Sequence, residues 1–178
     1  MVRDEQLAER LRSHIRDVPD FPQPGVVFRD ITALLADATA FGEAVAAMAG
    51  SFRDDAVSAV AGIESRGFIL GGAVAHALGA GFIAVRKQGR LPRSTISEAY
   101  RLEYGEAVLE AHADAVGEGE RVLIVDDLLA TGGTAAAAAS LLDRLGARVV
   151  GLAFLVELAG LGGAAALGSR RHTSLVVL

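Results

Sequence analysis

At 178 residues, with 52% hydrophobic and 22% charged side chains, the chain can bury a core in one domain, and disorder is excluded. A formal charge of −5 argues against general nucleic-acid affinity, and the absence of cysteine removes disulfides, thiolate metal sites and a thiol nucleophile. The opening MVRDEQLAERLR is too charged for a secretory leader, so a cytoplasmic protein with no membrane contact is expected.

Leu7, Leu11 and Ile15 recur at i+4, which predicts an amphipathic helix over Asp4 to Asp17. Pro19 and the segment Phe21-Pro22-Gln23-Pro24-Gly25 stop it. Val26 to Phe28 reads as a brief extended piece. Asp37 is placed to cap a helix from about Ala38 to Phe52, with Phe41, Val45 and Met48 on one face. Val57 to Ile63 is a strand, and Glu64-Ser65-Arg66-Gly67 leads into a helix from about Phe68 to Leu78. Phe82 to Val85 is another strand. The stretch from Gly67 to Val85 carries no Asp, Glu, Lys or Arg, but Gly79 and Gly81 divide it, against a membrane span. A basic, turn-rich stretch follows, Arg86 to Arg93. Ile96 to Ala111 carries Glu-Tyr-Gly-Glu at its middle, as a β-hairpin would.

The most informative stretch is Arg121 to Thr134, RVLIVDDLLATGGT. Val122 to Val125 reads as a buried strand, ending in Asp126 and Asp127. Ala130-Thr131-Gly132-Gly133-Thr134 then opens an alanine-rich helix, Ala135 to Leu145, with Gly146 beyond its end. Backbone amides and hydroxyls at a helix N-terminus suit a phosphate. Two carboxylates beside it suit a sugar diol, so the stretch reads as a ribose 5-phosphate cradle. It is not a Walker A loop, since no Gly-Lys-Ser/Thr follows. Arg148 to Val156 and Leu175 to Leu178 complete the strands. This β-α alternation predicts an α/β fold with a mostly parallel sheet flanked by helices.

A phosphorylated sugar needs something to hold its leaving group. Glu64-Ser65-Arg66-Gly67 repeats the strand-to-helix architecture, and Arg66 can hydrogen-bond a pyrophosphate. Read alone, these four residues favour a turn whose Arg pairs with a nearby acid. Residues 86–93 hold four positive side chains, a local anion site or simply a solvated run.

Together, FPQPGVVFRDIT, GIESRGFILGG, VRKQGRLPRSTISEAYRLEYGE and VLIVDDLLATGGT resemble, in order, the signature blocks of the adenine phosphoribosyltransferases. The likeness runs from about residue 19 to residue 158. The cradle alone resembles the phosphoribosyl-diphosphate (PRPP) motif of the wider type I phosphoribosyltransferases. PGVVFRD and SEAYRLEYG single out the adenine branch.

The resemblance implies a single phosphoribosyltransferase domain over 1–178, with a small hood from roughly 19–32 and possibly the C-terminal segment. It implies transfer of the phosphoribosyl group of PRPP to adenine, giving AMP and pyrophosphate, with Mg²⁺ bound mainly through PRPP or pyrophosphate rather than by dedicated protein ligands. Asp126 and Asp127 would hold the ribose hydroxyls, and Ala130, Thr131, Gly132, Gly133 and Thr134 the 5′-phosphate. Glu64, Ser65, Arg66, Arg86, Lys87 and Arg90 would meet the pyrophosphate, Arg90 standing where many members carry Lys. Members of the wider superfamily often have a non-proline cis peptide at the position of Glu64-Ser65, which sequence alone does not show. Val27 and Arg29 would read adenine through main-chain groups, with Phe28 stacked on the ring and Tyr104 nearby. Glu103, at the tip of a mobile hairpin, would be the general acid/base, with Arg66 and Lys87 also catalytic. Members are typically homodimers. The C-terminal LAGLGGAAALGSRRH departs most from the family, which bears on the hood but not on the PRPP cradle. Two other readings stay open: transfer to another base, opposed only by the 27–29 and 103–104 blocks, and a PRPP-binding regulator of the same fold.

Overall fold

The computed structural model describes the backbone of residues 5–102 and 105–178, and the side chains of these except 101, 102, 105 and 106. The elements run α1 (Glu5–Ser13), β1 (Arg16–Pro19), β2 (Val27–Asp30), α2 (Thr32–Ala36), α3 (Ala38–Gly50), β3 (Ala59–Ile63), α4 (Arg66–Leu78) and β4 (Gly81–Lys87). They continue with β5 (Thr95–Leu102), β6 (Gly105–His112), β7 (Arg121–Leu129), α5 (Gly133–Arg144), β8 (Arg148–Glu157), α6 (Gly163–Ala166) and β9 (His172–Val177).

Seven strands form one sheet in the order β5-β6-β4-β3-β7-β8-β9, while β1 and β2 pair apart from it. Strands β4, β3, β7, β8 and β9 are parallel neighbours, while β6 pairs antiparallel with both β4 and β5. The fold is therefore α/β with a mostly parallel sheet, as expected. Alternation along β7 sends Leu123 and Val125 to one core with α1, α3 and α4. Val122 and Ile124 go to the other, under α5. The alanine run belongs to that second core: Ala135, Ala137, Ala138 and Ala139 are buried, and their small size lets α5 lie close to the sheet. No helix among the described residues is long and apolar enough to cross a membrane.

Several boundaries differ from the sequence reading, each for a tertiary reason. The first helix ends at Ser13, because Arg16–Pro19 pairs antiparallel with Val27–Asp30, and Asp17 takes a 2.6 Å ion pair from Arg29. A short helix, α2, starts where Asp30 accepts hydrogen bonds from the Thr32 amide and hydroxyl, both at 2.9 Å. The central strand does not stop at Val125. It continues through Asp126 and Asp127 to Leu129, held by parallel pairing to Phe154, Val156 and Glu157 of β8. Arg66 opens α4 rather than preceding it, and Arg86 and Lys87 close β4 rather than belonging to the following turn. The last strand starts at His172 and ends at Val177.

Candidate active site

At the carboxyl ends of β3 and β7 the chain encloses a cavity of about 470 Å³. This is where parallel sheets ordinarily present ligand sites. Four segments meet there: Ile63 to Arg66, Lys87, the hairpin residues Tyr100, Ala107 and Leu109, and Asp126 to Ala135 apart from Gly133.

The floor is built by β7. Asp127 is buried and Asp126 half-buried, and an Asp126 oxygen accepts a 2.9 Å hydrogen bond from the Asp127 amide. Burial pushes the Asp126 carboxyl well above its ordinary range, and the adjacent Asp127 charge pushes the same way. Burial also raises Asp127, less strongly because the Arg66 guanidinium opposes it. Two carboxylates so placed favour company that supplies hydrogen-bond donors or positive charge. The first turn of α4 closes on this floor only because residue 67 is glycine. A Cβ there would lie 2.8 Å from an Asp126 oxygen and 2.9 Å from the Val125 carbonyl.

The cradle follows at once. Gly132, at φ 83°, caps α5, and Thr131, Gly132, Thr134 and Ala135 line the cavity wall. The first amides of α5 have no acceptor within the helix, so they and the helix dipole favour an anion there. The C-terminal segment supports this loop from behind. A Cβ on Gly132 would meet the Gly163 carbonyl at 2.6 Å and the Ala166 Cβ at 2.7 Å, and one on Gly163 would collide with the Ala130 carbonyl. The unusual segment therefore touches the cradle as well as any hood, and its small residues are what allow α6 to pack there. Gly132→Ala combines left-handed strain with this overlap and is expected to cost about 2–5 kcal/mol of stability. Weakened ribose 5-phosphate binding should accompany it. Thermal melting and a binding titration check both; unchanged values would mean that α6 simply moves aside.

Arg66 reaches across the cavity mouth. Its guanidinium donates to Asp127 at 2.9 Å, and its Cζ lies 4.7 Å from the centre of the Phe28 ring, which packs edge-on against Phe21. The peptide before it, Glu64-Ser65, is cis, as is Phe21-Pro22. Arg66 thus pairs with an acid, as the loop read alone suggests, and that acid is the candidate diol-binding one.

Glu64 faces a second cation. It accepts from Arg86 at 2.8 and 3.2 Å and from the Lys87 amide at 3.2 Å. The Arg86 hydrogen bond is the main reason its carboxyl lies below the ordinary range. Arg86 also donates to the Arg90 carbonyl at 2.8 Å.

Of the residues singled out from sequence, the cavity gathers Glu64, Ser65, Arg66, Lys87, Asp126, Asp127, Ala130, Thr131, Gly132 and Thr134. Gly133 sits behind the cradle as the first residue of α5. Arg86 and Arg90 stand outside the wall, Arg86 engaged through its guanidinium and Arg90 through its main chain. Val27, Phe28 and Arg29 lie on β2, brought to the cavity's edge through the Phe28–Arg66 stack. Glu103 and Tyr104 lie outside the described residues. Tyr100 was missed. Its signal was available in the alternation Ile96, Glu98, Tyr100, which faces α5, where Glu98 accepts from Ser140 and Arg144. Among the described residues no group of three or more His, Asp or Glu gathers as a metal cage. Asp126 and Asp127 nonetheless suit Mg²⁺ in its usual manner, through one or two carboxylates plus substrate oxygens.

The phosphoribosyl transferase domain model matches residues 32–167. The adenine phosphoribosyltransferase of Frankia casuarinae is 59% identical over 159 residues, 89% of this chain and 85% of that one. That of Jannaschia sp. is 57% identical over 155 residues, 87% of each chain. The crystal structure of adenine phosphoribosyltransferase from Rhodothermus marinus superposes with a TM-score of 0.95 at 48% identity, covering 98% of this chain and all (100%) of that one. That of the Saccharomyces cerevisiae enzyme, complexed with an imino-altritol bisphosphate and adenine, gives 0.90 at 34% identity, covering 96% and 99%. The chain belongs to the phosphoribosyltransferase family, on its adenine phosphoribosyltransferase branch.

Proposed function

We propose that the chain transfers the 5-phosphoribosyl group of PRPP to adenine, giving AMP and pyrophosphate. One observation carries the reading: a helix-N-terminal loop suited to phosphate, a carboxylate pair and the cationic side chains Arg66 and Lys87 line a single cavity bordered by Phe28. In this reading residues 130–134 hold the 5′-phosphate, and Asp126 and Asp127 accept from the ribose hydroxyls. Arg66 and Lys87 face the pyrophosphate, with Glu64-Ser65 shaping its loop.

Breaking the anomeric C–O bond leaves positive charge on the ribose and negative charge on the departing group. Arg66 and Lys87 stabilise the anion, and the carboxylates beneath the ribose favour the cation. Asp126 or Asp127 would help PRPP oxygens hold a Mg²⁺ ion, which would supply screening of the pyrophosphate charge. The main chain of Val27 and Arg29 reads the base and Phe28 stacks on it. Hypoxanthine and guanine carry oxygen where adenine has its amino group, so each would leave buried groups unpaired at about 1–3 kcal/mol apiece. Glu103, next to Tyr104 in the sequence, moves the base's proton. Arg86 and Arg90 act indirectly, through the loop they build.

The two-stranded β1-β2 sheet serves as the hood of a single domain. A cytoplasmic homodimer completes the reading. The exposed apolar side chains of Ile69 on α4 and Phe82 on β4 support the dimer alone. Formation of AMP from PRPP and adenine with Mg²⁺ tests the reading; no transfer to adenine would sink it.

A further inference from the structure

Glu110 is a buried carboxylate on β6 that does not line the cavity, 4% exposed. It lies across the ladder from Arg86, one residue beyond the Lys87–Leu109 pair. Just past that pair the Gln88 amide still bonds to the Val108 carbonyl, and then Gly89, at φ 78°, swings the chain out of the sheet. The next amides have left the ladder. Those of Arg90 and Leu91 both donate to one oxygen of Glu110, at 2.9 and 2.8 Å. The Thr95 hydroxyl approaches the other oxygen at 3.4 Å. Burial alone would raise this carboxyl, but the amides of Leu91, Gly89 and Arg90 outweigh it and hold it below the ordinary range. The turn is gripped from its other side by Arg86, which donates to the Arg90 carbonyl and is itself held by Glu64. Glu110, the 88–91 turn, Arg86 and Glu64 thus form one chain of contacts. It ties the turn beside Lys87 to the loop bearing Ser65 and Arg66.

We infer that Glu110 is a positioning residue for pyrophosphate: by collecting the Arg90 and Leu91 amides it fixes the turn that holds Lys87 toward the leaving group. The inference rests on the phosphoribosyltransferase reading. A buried charge is a costly way to finish a turn, and an apolar residue here would leave two amides unpaired. What the carboxylate gives in return is a rigid anion-facing loop, prepared before the substrate arrives.

The test compares Glu110→Ala and Glu110→Gln with the unaltered protein in titrations with Mg²⁺-pyrophosphate and, separately, ribose 5-phosphate. Thermal melting confirms folding. Glu110→Ala is expected to weaken pyrophosphate binding and raise the KM for PRPP by about tenfold. Ribose 5-phosphate binding and the KM for adenine should stay within twofold of the original, about experimental scatter. Glu110→Gln should largely restore pyrophosphate binding, because its amide oxygen can accept both N–H groups. Equal weakening of both ligands, or none, overturns the inference, as does a Gln variant no better than Ala. Should Glu110→Ala fail to fold, Gly89→Val strains the same turn from its backbone and must show the same selective loss. Failure of the unaltered protein to bind pyrophosphate would instead overturn the transferase reading.

Discussion

Replacing Asp126 and Asp127 together by Asn is expected to weaken PRPP binding and turnover roughly 10²–10⁴-fold, two hydrogen bonds to charged acceptors being worth about 1.5–3 kcal/mol each. The fold should survive, because both side chains keep their shape. Asp126→Asn alone is expected to melt higher than the original protein at neutral pH. Burial, with the neighbouring charge of Asp127, raises the Asp126 carboxyl above its ordinary value of 3.8. The folded form therefore holds its proton more tightly than the unfolded one. Stability from this group is full below the ordinary pKa and is lost as pH rises through the raised one. Asn abolishes that loss, so its advantage should be present at pH 7 and shrink toward pH 4. Asp17, Asp30, Glu64, Glu98, Glu110 and Asp114 are shifted downward, so their contributions run the other way and fade on acidification. Melting curves at the two pH values and PRPP titrations check the pair. Full activity in the double variant would remove the diol-binding role, and a lower neutral-pH melt for Asp126→Asn would contradict the electrostatic argument.

Arg66→Ala should have two effects of opposite sign. Turnover is expected to fall about 10²–10³-fold, the usual loss for one donor aimed at a developing anion. Adenine binding in the absence of PRPP should instead improve. Arg66 lies 4.7 Å above the Phe28 ring, whereas a base between them needs two contact distances, about 7 Å in all. The same guanidinium occupies an oxygen of Asp127. If ribose hydroxyls take that oxygen and pyrophosphate the guanidinium, as proposed, PRPP should release the Phe28 face as it binds. Equilibrium dialysis with labelled adenine checks this, with and without ribose 5-phosphate and pyrophosphate. If the unaltered protein alone binds adenine as tightly as the variant, Arg66 does not cover the slot.

The cradle was legible in sequence because its chemistry is contiguous: strand, acid pair, glycine turn and helix start all fall within Arg121 to Thr134. The α/β class was legible for a related reason, since the alternation of buried strands and helices is local. Partnerships were not. That Arg66 would pair with Asp127, and that Arg86 would be claimed by Glu64, depends on which strands lie side by side. The order β4-β3-β7 is a property of the whole sheet. Strand β1 was hidden in the tail of a helix for the same reason, because only pairing with β2 makes Arg16–Pro19 extended. The support that Gly163 and Ala166 give the cradle was invisible in a glycine- and alanine-rich segment whose local signal is weak.

The most direct measurement offers the purified protein PRPP, Mg²⁺ and, in separate reactions, adenine, hypoxanthine, guanine, xanthine and orotate. The account predicts nucleotide from adenine alone, as AMP with equimolar pyrophosphate. Transfer to another base in preference to adenine would contradict the assignment of Val27, Phe28 and Arg29, and transfer to none would contradict the enzyme itself.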